Sequence, residues 1–174
     1  AYMGLITQID DHVGRLMAFL DEEGLADDTL IVFTADHGDL RGEHWLGEKE
    51  LFHDMSVKIP LIVVDPAAEA DATRGNVSEA IVEAIDLAPT FLEAVGVDVP
   101  REVTGKSLLG ILRSVKGGQV DPERTFALLG MERHCYSYPS RAIRTGEYLY
   151  IRNFNPATWR TGEGQGPSEA KGFS

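Results

Sequence analysis

The chain has 174 residues, of which 43% are hydrophobic and 25% are charged. This length fits one domain, or one domain with a small addition, and the composition is globular rather than disordered, collagen-like or coiled-coil. The longest apolar run, residues 59–64, is far shorter than the roughly 20 apolar residues that a membrane-spanning helix needs. The single cysteine excludes an internal disulfide and a zinc site built from several thiolates.

The charge of the chain is acidic overall and unevenly distributed. The formal net charge is −12, from 16 basic and 28 acidic side chains. Nucleic-acid binding needs clustered Lys and Arg to neutralise phosphates, so we expect no nucleic-acid partner. Residues 1–130 carry a net −14, whereas residues 131–174 carry a net +2. We therefore expect an anion-facing surface at the C-terminal end, or in a pocket whose local field opposes the net charge.

The first part of the chain has the pattern of an α/β sheet. Apolar residues recur every three or four positions from Ile6 to Leu20, which predicts an amphipathic helix, and Gly24 is expected to end it. After a short turn, the apolar runs 29–34 and 59–64 predict two strands buried on both faces. Continuous apolar strands of this kind are typical of a parallel sheet, so we expect α/β structure up to about residue 117.

Further helices and a second type of structure follow. Helical stretches are predicted at 78–85, 86–95 and 106–115. Beyond residue 117, strands are predicted at 124–130, 140–145 and 148–153, with a hairpin turn at 145–147. We therefore predict two units: an α/β part over residues 1–117, and a small antiparallel β subdomain with a tail over residues 118–174.

The chemistry is concentrated in the polar loop after the first buried strand. Asp36 and His37 follow this strand at its carboxyl end, where α/β sheets bind ligands. A carboxylate and an imidazole together suit a divalent cation, although this pair alone is also compatible with a turn cap beside a surface histidine. His44 and Lys49 lie in the same loop. A cation, two imidazoles and an ammonium would bind a tetrahedral oxyanion.

This stretch, FTADHGDLRGEHWLGEKELFHDMSVKIPLIV, resembles the sulfatase family of the alkaline-phosphatase-like superfamily. The flanking strings IDDHVGRLMAFLDEEGLADDTLIVFT and VEAIDLAPTFLEAVGVDVPREVTGKSLL are similar to the same family, so the resemblance covers residues 2–112. MERHCYSYPSRAIRTGEYLYIRNFNPATW resembles the C-terminal region of sulfatases related to heparan N-sulfatases. The resemblance implies part of a doubly wound alkaline-phosphatase-like sheet, followed by a small antiparallel C-terminal subdomain.

The resemblance also implies roles for individual residues. Asp36 and His37 match the second pair of ligands to one divalent metal, which is calcium in most sulfatases. Many sulfatases carry Asn in place of His37; the His form is common in related phosphonate and phosphate ester hydrolases, which often use manganese. Lys49 matches a catalytic lysine that contacts the sulfate oxygens, and His44 is assigned a supporting catalytic role. His134 is a candidate substrate contact, with a structural or surface role as the alternative.

The family nucleophile is not found where the resemblance would place it. It is a formylglycine made from Cys or Ser in Cys/Ser-x-Pro-x-Arg, and none of the residues before Asp36 form this motif. Cys135 has Pro139 and Arg141 four and six positions later, where the motif needs two and four. We therefore expect the C-terminal part of a sulfatase, inactive by itself, whose open sheet is covered by a missing N-terminal half or by self-association.

The resulting functional hypothesis is a hydrolase of sulfate esters or sulfamates that acts on a sulfated small molecule or saccharide. The first alternative is a phosphonate or phosphate ester hydrolase on the same scaffold, which His37 favours. The second is a fragment without catalysis that binds oxyanions or serves in assembly. A simpler alternative remains, in which the histidine loop of an α/β domain is incidental. Trp45 is expected to pack within this loop or to form a pocket wall.

Overall fold

The computed structural model describes residues 2–45, 47, 49, 51–115, 120–133 and 137–155. Within this part, no helix has both the length and the apolar composition needed to cross a membrane. The helices are α1 (Tyr2–Glu22), α2 (Asp54–Val57), α3 (Leu87–Ala94) and α4 (Leu109–Leu112). The strands are β1 (Ile31–Thr34), β2 (Leu61–Val64), β3 (Phe126–Arg133), β4 (Ser137–Thr145) and β5 (Leu149–Asn153).

Helix α1 ends as the sequence predicts, at a glycine with a left-handed backbone. Gly24 has φ 66°, a conformation that costs a glycine little. The Gly24 N–H donates to Asp21 O at 3.1 Å and the Leu25 N–H to Leu20 O at 2.8 Å, which is a Schellman motif. Of the predicted apolar stripe, however, Leu20 is the buried residue, whereas Ile6 and Ile9 are exposed. The packed stripe of the helix is therefore narrower than its periodicity predicts.

Strands β1 and β2 pair antiparallel, which corrects the expectation of a parallel sheet at this point. Ile31 lies opposite Val64, and Thr34 lies opposite Leu61. The loop between β1 and β2 leaves the sheet and re-enters it at the same end. At that end, the Thr34 hydroxyl donates to Pro60 O at 2.8 Å. A parallel pair would need a crossover that carries the chain to the opposite end. In its described residues the loop contains a 3₁₀ turn at Glu43–Trp45 and the one-turn helix α2, neither of which is long enough to form such a crossover.

Residues 78–83 are not helical, which corrects the prediction of a helix at 78–85. Glu83 has extended backbone angles, φ −125° and ψ 152°, and forms a capping box with Asp86. This box starts a 3₁₀ turn at Ala84–Asp86 that leads directly into α3, so the helix begins only after Glu83. Helix α3 itself is confirmed, and it ends at Gly96 with φ 71°. The third predicted helix is limited to the single turn of α4.

The C-terminal sheet has the order β3-β4-β5, with both pairs antiparallel. The hairpin between β4 and β5 is closed by the Thr145 N–H, which donates to Tyr148 O at 2.8 Å. Along β5, Leu149 and Ile151 are partly buried, whereas Tyr150 and Arg152 are exposed. The predicted antiparallel strands and the alternation along the last one are therefore confirmed.

A buried ion pair connects this sheet to α3. Asp86 and Arg124 are almost completely buried, and Arg124 Nη1 lies 2.6 Å from Asp86 Oδ2. The second oxygen of Asp86 accepts the Lys106 N–H at 2.8 Å, and Arg124 Nη2 donates to Lys106 O at 2.7 Å. Nearby, the Leu128 N–H of β3 donates to Glu83 Oε1 at 2.8 Å. These contacts hold the two parts of the chain together, and the division at residue 117 stays a prediction.

Candidate metal and oxyanion site

Asp36 lies two residues beyond the end of β1, and a hydrogen bond from the next residue lowers the pKa of its carboxyl group. The His37 N–H donates to Asp36 Oδ1 at 2.9 Å. This hydrogen bond is the main reason why the pKa of Asp36 lies below its ordinary value. The carboxylate is therefore ionised near neutral pH, which is the form that binds a metal cation.

The tautomer of His37 follows from its two hydrogen bonds. Its Nδ1 lies 2.8 Å from Gly38 O, and because a carbonyl oxygen only accepts, Nδ1 carries the proton. Nε2 then has a free lone pair, which accepts a hydrogen bond from Lys49 Nζ at 2.7 Å. A backbone carbonyl that receives the other ring N–H is the usual support of a metal-binding histidine.

The donor atoms of Asp36 and His37 are close enough to bind one cation. Asp36 Oδ2 lies 3.3 Å from His37 Nε2. Two ligands at about 2.3 Å from one cation, at a right angle to each other, would be separated by about this distance. Among the described residues no group of three or more His, Cys, Asp or Glu could hold a metal ion. The pair therefore fits part of a divalent-metal site, with the other ligands still to be supplied.

Gly38 allows the loop to fold tightly against α2. A Cβ at this position would lie 1.9 Å from Met55 O, and the Gly38 N–H donates to Ser56 O at 2.8 Å. The buried Ser56 hydroxyl lies within hydrogen-bond distance of Leu51 O, at 2.6 Å, and of His53 O, at 3.0 Å. The glycine after the Asp-His pair is thus required by the close backbone approach that the sequence indicates.

The loop that brings Lys49 to His37 has an unusual backbone. Arg41, His44, Trp45 and Leu51 are all non-glycine residues with positive φ, between 50° and 70°. Such conformations cost energy and persist where the surrounding structure holds them, often at functional sites. The fold therefore places Lys49, 12 residues after His37, in direct contact with that side chain.

His44, the predicted supporting catalytic residue, stacks on His53 with 4.4 Å between ring centroids. Burial of His53, and then the nearby His44, lower the pKa of His53 and favour a neutral ring. Stacking on His53 is the ring contact that the structure describes for His44. The catalytic role of His44 stays a prediction. Trp45 is 98% exposed, which corrects the expectation that it packs. His134 and Cys135 lie outside the described residues, so the substrate contact assigned to His134 also stays a prediction.

His37, alone of the three residues Asp36, His37 and Lys49, lines a cleft of about 760 Å³. One of its walls carries Asp54, whose carboxylate pairs with Arg144 of β4 at 2.9 Å. The cleft is lined by Tyr2, His37, Gly38, Asp39, Arg41, Asp54, Met55, Lys58, Ile59 and Pro60.

Sequence reasoning also misses one spacing match. Read from Ser137, the chain has proline at the second following position and arginine at the fourth, as in the nucleophile motif. In the structure this segment belongs to β4, where Ser140 is buried and Arg141 pairs with Glu132. We assign this strand no catalytic role.

Comparisons with known proteins identify relatives of this chain. The family model described as Sulfatase matches residues 1–97. The multifunctional alkaline phosphatase superfamily protein PehA of Trinickia caryophylli is 46% identical over 115 residues, which cover 66% of this chain and 22% of that protein. An N-acetylglucosamine-6-O-sulfatase of Bacteroides thetaiotaomicron is 32% identical over 161 residues, which cover 88% of this chain and 27% of that protein.

A solved structure extends the likeness to the fold. The phosphonate monoester hydrolase of Agrobacterium radiobacter superposes with a TM-score of 0.76 at 27% identity, covering 87% of this chain and 32% of that one. This confirms the predicted alkaline-phosphatase-like α/β fold class. The chain spans 22% and 27% of the length of the two curated relatives. Sulfatases typically use a divalent metal, and the assignment of Asp36 and His37 as its ligands stays a prediction. Because the family model matches more than half of the chain, the chain belongs to the sulfatase family, within the alkaline-phosphatase-like superfamily.

Proposed function

We propose that the intact protein carrying this chain hydrolyses sulfate esters or sulfamates of a small molecule or saccharide. The observation that supports it most is the chain of contacts Asp36–His37–Lys49 at the end of β1. It combines a partial metal site with an ammonium group, which is the combination that a sulfate group needs. The relative named as an N-acetylglucosamine-6-O-sulfatase supports a sulfated saccharide as the substrate class.

In this proposal, Asp36 and His37 hold the divalent metal through a carboxylate oxygen and Nε2. The metal is calcium, with manganese as the alternative, and it would act as a Lewis acid on the sulfate oxygens. The Gly38 carbonyl keeps the proton on His37 Nδ1, so the Nε2 lone pair can bind the metal in place of the Lys49 ammonium. Lys49 stabilises the negative charge that develops on the transferred group, because its ammonium lies beside the same ligand.

The remaining steps need groups whose roles are less directly supported. His44 is proposed to assist the leaving oxygen as a proton donor, and His134 is proposed to contact the rest of the substrate. The formylglycine nucleophile is proposed to come from another part of the intact protein. By itself this chain is therefore proposed to bind an oxyanion without hydrolysing it.

The test is turnover of 4-nitrophenyl sulfate by the intact protein, with the metal content measured in the same sample. We expect turnover to require about one divalent metal per protein, and we expect Asp36→Asn to lower both metal content and rate. If the intact protein contained the metal but left every sulfate ester and sulfamate tested unchanged, the proposal would be wrong.

The second candidate is phosphonate or phosphate ester hydrolysis on the same scaffold. It is favoured by His37 and by the likeness to a phosphonate monoester hydrolase at 27% identity. Sulfate and phosphonate monoesters present similar tetrahedral oxyanions, so the same residues would bind either. Comparing kcat/KM for 4-nitrophenyl sulfate and 4-nitrophenyl phenylphosphonate separates the two, since a clear preference for the phosphonate would replace the first proposal with the second.

A further inference from the structure

Two cationic side chains that line the cleft lack an ion pair with any carboxylate among the described residues. Arg41 and Lys58 line the same cleft as His37, and both side chains are exposed to solvent. Within the described part of the chain, neither forms an ion pair with an Asp or Glu. Lys49 differs from them, because its ammonium donates to His37 Nε2 at 2.7 Å. The cleft therefore has cationic groups beyond the one beside the metal ligand.

Arg41 is held in position although its guanidinium N–H groups have no acceptor among the described residues. Its backbone N–H donates to Asp39 Oδ1 at 2.7 Å, and its φ is 50°, in the left-handed region. The guanidinium carbon lies 3.2 Å from the centroid of the Tyr2 ring. This stacking fixes the plane of the guanidinium and leaves its edge free to donate to an anion.

The local charge of the cleft differs from that of the chain. The formal net charge of the whole sequence is −12. Of the two carboxylates that line the cleft, Asp54 is paired with Arg144 at 2.9 Å, and Asp39 accepts the Arg41 N–H. Asp39 keeps its negative charge, so Arg41, Lys58 and Arg144 against the carboxylates of Asp39 and Asp54 leave a local net charge of +1. Such a region attracts an anion in spite of the acidic surroundings.

The cleft is also larger than the reacting group requires. Its volume of about 760 Å³ lies in the range of roughly 300–1,000 Å³ that holds a whole small ligand. A sulfate group beside His37, which lines the cleft, would occupy only a small part of it. The rest of the space, with Arg41 and Lys58 at its wall, is available to the remainder of the substrate.

We propose that Arg41 and Lys58 form a second anion subsite, and that the preferred substrates carry another anionic group besides the sulfate that is cleaved. The assignment of the cleaved group rests on the proposed function, whereas the second subsite is argued from these two cations. The chemistry they recognise is a carboxylate or a second sulfate group. The two residues are specificity residues, because they contact the part of the substrate that does not react.

The test measures binding, so it does not depend on turnover. The ligands are 4-sulfobenzoate and 4-sulfobenzamide, which share a sulfonate and differ in the charge of the second group. We expect the intact protein to bind the benzoate about fivefold more tightly at low salt, as partly exposed ion pairs allow. The variants are Arg41→Gln, Lys58→Gln and the double variant, and the matched control is Arg15→Gln on the exposed side of α1.

The ratio of the two dissociation constants is the readout. We expect it to fall toward one in the double variant, to stay at the wild-type value in the control, and to decrease with salt in the wild type. Equal wild-type affinities for the two ligands would overturn the proposal, as would a double variant that keeps the full preference. Thermal melting shows whether each variant is folded. If the intact protein did not hydrolyse sulfate esters, the proposed function would be wrong. The second subsite would be unaffected, because the ratio of dissociation constants does not depend on turnover.

Discussion

The ammonium of Lys49 lies 2.7 Å from His37 Nε2, and the same ring nitrogen lies 3.3 Å from Asp36 Oδ2. One lone pair accepts either this hydrogen bond or a metal, and not both at once. A metal bound at Nε2 would therefore displace the Lys49 ammonium, which would then be free to contact the anion. In this geometry the metal and the charge of Lys49 are linked through a single histidine.

This link predicts the effect of removing the ammonium. Lys49→Met should lower kcat of the intact enzyme by about 10²–10³, the loss typical of one group that stabilises transition-state charge. Metal affinity should stay the same or rise, because a competitor for Nε2 is gone. Metal titration and steady-state kinetics measure the two effects separately. Lys106→Met is the matched control, since Lys106 pairs with Glu123 away from the cleft. A strong loss of metal affinity in Lys49→Met would contradict this account.

The close approach at Gly38 predicts a large difference between two glycine substitutions. Gly38→Ala would place a Cβ 1.9 Å from Met55 O, a backbone atom, so the loop must move. We expect a loss of about 1–3 kcal/mol in the free energy of unfolding, as for other overpacked sites. Gly14→Ala has open space around its Cβ within α1 and should stabilise the chain by about 0.5–1 kcal/mol. Urea unfolding of both variants tests this, and equal effects would contradict the close approach.

The buried ion pair between Asp86 and Arg124 predicts a strong effect on stability. Asp86→Asn removes one charge of a pair whose side chains are 3% and 7% exposed, which leaves the buried Arg124 cation dependent on Asp121, 3.2 Å away. Breaking such a pair typically costs about 3–5 kcal/mol. Asp71→Asn, in the exposed pair with Arg74, should change the free energy of unfolding by no more than about 1 kcal/mol. Similar losses in both variants would show that Asp86 does not carry the connection to β3.

Asp65 predicts how stability changes with pH. Burial by itself would raise the pKa of Asp65, but the hydrogen bond from Arg113 and that from the Ala67 N–H lower it below the ordinary value of 3.8. A lowered native pKa contributes stability that is present above pH 3.8 and is lost as the pH falls toward the native pKa. Measuring the free energy of unfolding between pH 2 and 6 tests this. Asp65→Asn should be less stable than the wild type above pH 4 and should show a smaller loss on acidification; parallel curves would contradict it.

The sequence by itself determined the features that depend on neighbouring residues. The helix that Gly24 ends, the helix that Gly96 ends and the hairpin turn after Thr145 all follow from hydrogen bonds within a few residues of each other. The adjacent pair Asp36 and His37 was equally visible, because its position depends only on the end of β1. The family resemblance rests on contiguous stretches of sequence that include this pair. The family model, which matches residues 1–97, confirms the resemblance.

The tertiary structure decided what distant residues do to one another. The direction of pairing between β1 and β2 depends on where the loop returns, and the contact of Lys49 with His37 depends on the left-handed turns between them. The extended backbone of Glu83 belongs to a capping box with Asp86, and the carboxylate of Asp86 pairs with the buried Arg124, 38 residues later. Contacts of this kind are stabilised by burial and charge pairing between residues far apart in the sequence. The local periodicity of the sequence does not predict them.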